Sequence, residues 1–350
     1  MPESLRNRSW ELLLAAVLVA TVVYNTTRSD VYLDVDNFVN LFHLSIEKVI
    51  VVVIMTFVIV NGEIDLSVAS VMALSAAVLA SVHDGGAVPF PVAIVVALVV
   101  AAAAGFLQGV IIARTGLPSL VVTLAGLIAF RGGARVLVED RSVGDFPEWF
   151  GRLGRRDLVG PLPFALILFF VGLVVGALVL HRTAFGRKVY VIGNSAEVAR
   201  YSGIDVGRVK IALFTASGLV AGIAGVLFAA RLGSVRANIG EGFELDVITI
   251  VLLGGVSIFG GTGNLVGVAL SIFVVLNLRN GMSLARVEDT VQTGVIGGLL
   301  IVSVLAQNLL DRVLALSQRP QEKRGTHEIA TAAAPGRTGD ADARHRSVRG

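Results

Sequence analysis

The chain has 350 residues, of which 55% are hydrophobic and 16% charged, with a formal net charge of +3. A soluble domain carries roughly 25% charged residues and 45–50% apolar ones, so this composition excludes an ordinary water-soluble fold and points to a bilayer. Cysteine is absent, which removes disulfide frameworks, thiolate catalysis and cysteine–metal sites. The sequence pI of about 9.5 does not indicate nucleic acid, because the basic residues fall between apolar runs, where membrane orientation accounts for them.

A helix crossing the ~30 Å hydrocarbon core needs about 20 mostly apolar residues. The predicted spans in chain order begin with Glu11–Tyr24, His43–Val60, Leu66–Val82, Pro91–Ala113 and Ser119–Val138. They continue with Pro163–Leu180, Ile211–Ala230, Leu245–Ile258, Leu265–Leu278 and Val291–Leu310. The first follows Arg6 and Arg8 like a signal peptide, but it lacks a convincing small-residue cleavage site and reads as a retained span. Leu245–Ile258 and Leu265–Leu278 are too short to cross unaided. They read as tilted helices, or as a re-entrant pair broken at Gly260-Gly261-Thr262-Gly263. Ten spans, or eight without that pair, put both termini on one side.

The fold class is therefore all-α, a polytopic transmembrane bundle of about 8–10 spans, some short or broken. Residues 1–316 form the membrane domain, and 317–350 read as a disordered cytoplasmic tail rich in Arg, Ala, Gly, Thr and Asp. Lysine and arginine set the orientation. The segment 181–210 carries Arg182, Arg187, Lys188, Arg200, Arg208 and Lys210 and reads as cytoplasmic, with Arg312, Arg319, Lys323 and Arg324 on the same side. The acidic loop Asn25–Phe42 then lies outside. The loop holding Arg141, Arg152, Arg155 and Arg156 also falls outside, against the rule, but is nearly balanced by its carboxylates.

Four features bear on chemistry. Between the second and third spans lies Asn61-Gly62-Glu63-Ile64-Asp65-Leu66-Ser67. A carboxylate at bilayer depth costs about 2.5–3.5 kcal/mol on insertion scales. The first reading is a helix start with Asp65 as N-cap and Gly62 allowing the break; lining a solute path comes second and proton coupling third. Pro118 opens the next feature with Ser119 as the N-cap of the following span, Thr123 expected to bond its own helix and Arg131 to snorkel to the outer interface. Small residues four apart, at Gly172/Gly176, Gly218/Gly222, Gly263/Gly267 and Gly294/Gly298, indicate close helix packing.

The fourth feature is Thr183–Lys210, where Gly193 and Asn194 make a turn and Ser195 caps a short helix through Glu197, Val198, Ala199, Arg200 and Tyr201, ended by Gly203. A tether of about 30 residues between spans is long, so this helix reads as a docking knob, with an interfacial helix on lipid as the alternative. No G-x-x-x-x-G-K-S/T loop, H-E-x-x-H pattern or serine elbow occurs, and the five histidines are scattered. An enzyme and a nucleotide site in this chain are thereby disfavoured.

Asn61–Ser70 (NGEIDLSVAS) resembles the G-x-I-D-L-S-V-x-S signature of ribose/rhamnose-type monosaccharide permeases of the ATP-binding-cassette class. Leu117–Gly132 resembles their proline–phenylalanine–x-x-T-L to R-G stretch. Ala184–Lys210 resembles their cytoplasmic coupling segment, and Leu252–Gly263 (LLGGVSIFGGTG) their L-G-G-x-S-x-F-G-G block. The sequence departs from the pattern at Glu63 and Ala69, where glycine is usual, and at Ser119, where phenylalanine is usual.

The resemblance implies a multi-pass subunit of a bacterial inner membrane, working with a second permease copy or paralogue. ATP and Mg are expected on a separate cytoplasmic ATPase, with no cofactor in this chain, and a periplasmic sugar-binding protein is expected to deliver solute. Ser195, Glu197, Ala199, Arg200, Gly203 and Ile204 would contact the ATPase. Asn61, Glu63, Asp65, Ser67, Thr123, Gly255 and Ser257 would lie near the solute path. A rhamnose-like solute is the first expectation, then ribose, xylose or a related furanose signal molecule. An ion-coupled secondary carrier dependent on Glu63 or Asp65, and a branched-chain amino acid permease, are the rivals.

Overall fold

A computed structural model describes residues 3–317 except 44, 87, 140, 156, 160 and 161; the predicted tail lies outside the described residues. Helices α1 (Glu3–Arg28), α2 (Val35–His43), α3 (Ile46–Val60), α4 (Val68–Asp84), α5 (Phe90–Thr115) and α6 (Ser119–Val138) come first. A two-residue strand β1 (Val143–Gly144) and a short helix α7 (Glu148–Arg155) follow, then β2 (Asp157–Val159), β3 (Leu162–Pro163), α8 (Phe164–Arg182), α9 (Ala184–Asn194) and α10 (Ala196–Tyr201). The chain continues through α11 (Val206–Leu232), β4 (Ser234–Val235), α12 (Phe243–Leu253), α13 (Leu265–Leu284) and α14 (Asp289–Ser317). Among the described residues the strands make two small antiparallel pairs, β1 with β4 and β2 with β3.

Helix starts follow the expected cap chemistry, with a side-chain oxygen taking one of the backbone N–H groups that a first turn leaves unpaired. Thr183 accepts from Gly186 N, Ser195 from Val198 N, Asp205 from Arg208 N and Asn264 from Gly267 N. Each such cap contributes about 0.5–2 kcal/mol. Two caps differ from expectation. Pro118 and not Ser119 holds the cap position of α6, and Ser119 Oγ instead accepts from Ile64 N. The helix after the Asn61–Ser67 break starts at Val68, so Ser67 holds the cap position, and Asp65 instead accepts from the Ser67 N–H at 2.9 Å.

By length and composition α1, α5, α6, α11, α13 and α14 can each cross a membrane, and two bent pairs, α2 with α3 and α8 with α9, raise the number to eight. The shorter apolar α4 and the 11-residue α12 fall below the length of a full span. Of the two short predicted spans, the second is a full 20-residue helix, α13, while α12 spans only about 16 Å at 1.5 Å per residue. The break between them covers residues 254–264, wider than the four residues expected. Outward faces of α5, α6 and α8 are apolar: Val95, Val99, Ile128, Val136, Val174 and Leu178 are all more than half exposed. Water disfavours so large an apolar surface, and lipid accommodates it.

Small residues allow the central packing. A Cβ on Gly105 of α5 would meet Phe214 O of α11 at 2.1 Å, and one on Gly218 would meet Ala101 O at 2.4 Å. Gly218 thus packs against the α5 backbone and Gly222 against the Ala101 Cβ, close packing as predicted, whereas Gly172, Gly294 and Gly298 meet nothing within 4 Å among the described residues.

Contacts between element ends sort the bundle into two sides. On the side of α9 and α10, the Trp10 indole donates to Leu253 O (2.9 Å), Asn264 donates to Glu11 (2.8 Å), and Gly261 N donates to Val60 O (2.8 Å). On the opposite side, Asn25 donates to Asn277 O, Asn37 pairs with Asn280, and Glu47 pairs with Arg231. The start of α1 therefore shares a side with α9 and α10.

Candidate translocation and coupling sites

The break between α3 and α4 is held by every helix around it. Its backbone turns at Gly62, where φ is +79°, a conformation open to glycine at no steric cost. Ile64 N donates to Ser119 Oγ at 3.1 Å, and Thr123 Oγ1 lies 3.2 Å from Ile64 O. Thr123 also donates to Ser119 O of its own helix at 2.8 Å, the bond expected of it. Glu63, nearly buried, forms an ion pair with Lys210 in the first turns of α11.

Asp65 is the centre of this site. It is buried and has no cation beside it among the described residues; Oδ1 accepts from Ser67 N (2.9 Å) and Ser67 Oγ (2.6 Å), and Oδ2 accepts from Ser217 Oγ (2.7 Å). Ser67 Oγ also lies 2.9 Å from Gln108 Oε1 of α5. Ser217 sits 11 residues into α11, about 16 Å from its start and about 22 Å from its end. The carboxylate thus reaches nearly half-way along a long transverse helix. A charge at that depth needs hydrogen-bond donors, and three supply them. Asn61, also buried, leaves both amide atoms without a partner among the described residues.

The structure therefore brings Asn61, Glu63, Asp65, Ser67 and Thr123 to one place, and adds Ser119, Gln108, Lys210 and Ser217. It does not bring Gly255 and Ser257 there. Gly255 packs on the Trp10 ring, and Ser257 stabilises its own turn, accepting from Phe259 N at 3.2 Å. Gln108 carried a signal in the sequence, as the lone polar side chain inside an otherwise apolar Pro91–Ala113 run. Ser217 carried none, since isolated serines in membrane helices commonly bond their own backbone.

The Arg131 guanidinium, expected at the outer interface, donates to Ala237 O (2.9 Å) and Ile239 O (2.7 Å) and so fastens the segment after β4.

The predicted short helix is present as α10. Ser195 caps it, Ala199 is buried beneath it, and Glu197, Arg200 and Gly203 are exposed. Gly203, at φ +79°, ends it, and half-buried Ile204 leads into α11. The turn predicted at Gly193 and Asn194 is instead the last turn of α9. There Gly193 fits against the α3–α4 break so closely that a Cβ would lie 1.9 Å from Val60 O and 2.5 Å from Gly261 N. Tyr190 of α9 donates to Gly263 O at 2.7 Å. At the opposite side, Lys48 pairs with Asp246 (2.6 Å), Asp246 with Arg279 (2.8 Å), and fully buried Glu47 with Arg231 (2.8 Å). Among the described residues no group of three or more His, Asp or Glu side chains could hold a metal ion.

A bundle of transverse helices interrupted by a buried polar break, with a short capped helix standing off one side, is the architecture of a solute permease. Residues 37–304 match the family described as branched-chain amino acid transport system / permease component, and the chain belongs to that family. It is similar to the autoinducer 2 import system permease protein LsrD of Escherichia coli K12, of Escherichia coli O157:H7 and of Shigella flexneri. Each is 37% identical over 308 residues, covering 86% of this chain and 92% of the relative. No solved structure matches the chain. The expected class, a multi-pass permease subunit of an ATP-binding-cassette sugar importer, stands on these findings.

Proposed function

We propose that this permease moves a small furanose-like solute, with autoinducer 2 first and a rhamnose-, ribose- or xylose-like sugar second, by alternating access powered by a separate ATPase. Similarity to autoinducer 2 permeases over most of both chains supports the solute class. In this reading α9 and α10 face the cytoplasm, both termini lie on that side, a second permease copy or paralogue completes the path, and an external binding protein delivers solute. The excess of Arg and Lys in the segment 181–210 supports that orientation.

The observation that carries the mechanism is the joint between coupling helix and broken helix. Closure of the ATPase would push α10. Asp205 caps α11 directly after α10, and Lys210, one turn on, holds Glu63. The same stroke would reach Gly62 through Gly193. From there the Asp65–Ser217 bond leads to the middle of the bundle. Asn61, Glu63, Asp65, Ser67 and Thr123 then form the part of the solute path that changes access, while Gly255 and Ser257 brace it.

The test is binding of autoinducer 2, ribose, rhamnose and leucine to the cognate external binding protein, followed by uptake into vesicles. Preference for the furanose signal supports the proposal. Preference for leucine overturns it.

A further inference from the structure

Tyr201 and Phe259 are the two most exposed large apolar side chains among the described residues, at 86% and 84%. They are 58 positions apart in sequence, yet both are mounted on the same end of α9. Tyr201 ends α10, which starts one residue after α9. Phe259 is at the tip of the 254–264 segment, where Phe259 O lies 3.6 Å from the position of a Cβ on Gly62 and Asn194 Nδ2 lies 3.5 Å from Gly261 O. The segment is held just after the tip, by Tyr190 on Gly263 O and by Gly261 N on Val60 O. Ile258, also exposed, adjoins it.

We infer that the Ile258–Phe259 tip is a second contact for the ATPase subunit, so that the partner grips both α10 and the 254–264 segment. The inference rests on the reading of α10 given above. The exposed aliphatic side chains Val136 and Ile128 sit on the face of a spanning helix, whereas Phe259 projects from a turn on the side of α10. Exposed aromatics in pairs on one side are the usual anchors of protein contacts. The close fit of Gly193 between Val60 O and Gly261 N ties the tip to α9, so a partner holding both points would move α10 and the α3–α4 break together.

The chain has no cysteine, which makes single-cysteine reporters clean. Tyr201→Cys, Phe259→Cys and Val136→Cys permeases are purified, labelled with a photoactivatable maleimide and reconstituted with the ATPase subunit in lipid nanodiscs. Cross-links to the ATPase from positions 201 and 259, with none from 136, are expected. Phe259→Ala is expected to weaken ATPase binding by about tenfold while leaving the permease melting temperature unchanged. Cross-linking from 201 alone, with position 259 still open to a water-soluble maleimide, overturns the inference and leaves the α10 reading standing. A product joining 259 to a second permease, or quenching of a 259 fluorophore by brominated lipid, also overturns it. Cross-linking from neither position overturns both.

Discussion

Asp65 of the α3–α4 break and Ser217 of α11, 152 residues apart in sequence, share a 2.7 Å hydrogen bond near the middle of the bundle. This bond joins the α3–α4 break to α11. Ser217→Ala leaves a buried carboxylate oxygen without its donor, a loss of about 1–3 kcal/mol. Asp65→Asn combined with Ser217→Ala is expected to cost less than the sum of the two single changes, by about 0.5–3 kcal/mol of coupling. Thermal melting of the four proteins in detergent checks this; strict additivity would contradict it.

The Glu63–Lys210 ion pair gives a prediction about transport. Glu63→Lys and Lys210→Glu each place like charges together in a nearly buried site, and each is expected to lose most uptake. The double exchange restores the pair and recovers a large share of the rate. Vesicle uptake by the three variants reads the result, and a double variant no better than the singles would remove the ion pair from the coupling route.

Two glycines separate packing from coupling. Gly193→Ala puts a Cβ into Val60 O and is expected to lower the melting temperature sharply. Gly203 meets nothing within 4 Å, so Gly203→Ala costs only the strain of its left-handed backbone, about 1–2 kcal/mol. That variant is expected to stay folded but to lose ATPase stimulation by the permease. Equal melting losses in both variants would contradict the assignment.

On the opposite side, Glu47 is fully buried with Arg231 as its cation. Arg231→Ala strands that charge, at a cost of about 3–5 kcal/mol, and a further Glu47→Leu change is expected to recover most of it. Melting temperatures of the two variants test the claim, which fails if the second change brings no recovery.

Much of this architecture is legible in the sequence, because apolar runs bounded by charge and proline mark spans without reference to packing. Ser119–Val138 has the predicted bounds, and α10 has its predicted cap at Ser195 and end at Gly203. What the runs do not reveal is partnership. Lys210 reads as one more orienting charge until Glu63 is placed beside it, and Ser217 reads as a small packing residue until Asp65 reaches it. Gly255 and Ser257 belong to the same sequence block as Gly260, yet only Gly260 approaches the α3–α4 break, because the segment turns away between them. Side-chain direction across a loop is set by tertiary packing, and no periodic pattern in the block encodes it.

The central claim is that a separate ATPase drives this bundle through α10. The most direct measurement is solute uptake in proteoliposomes holding the permease, its ATPase and its binding protein, with Arg200 and Gly203 intact or replaced by Ala. The account predicts uptake that needs ATP inside, ignores proton and sodium gradients, and falls at least tenfold in the double variant while the permease stays folded. Uptake at full rate without ATP under an ion gradient, or undiminished ATP-driven uptake in the double variant, would contradict it.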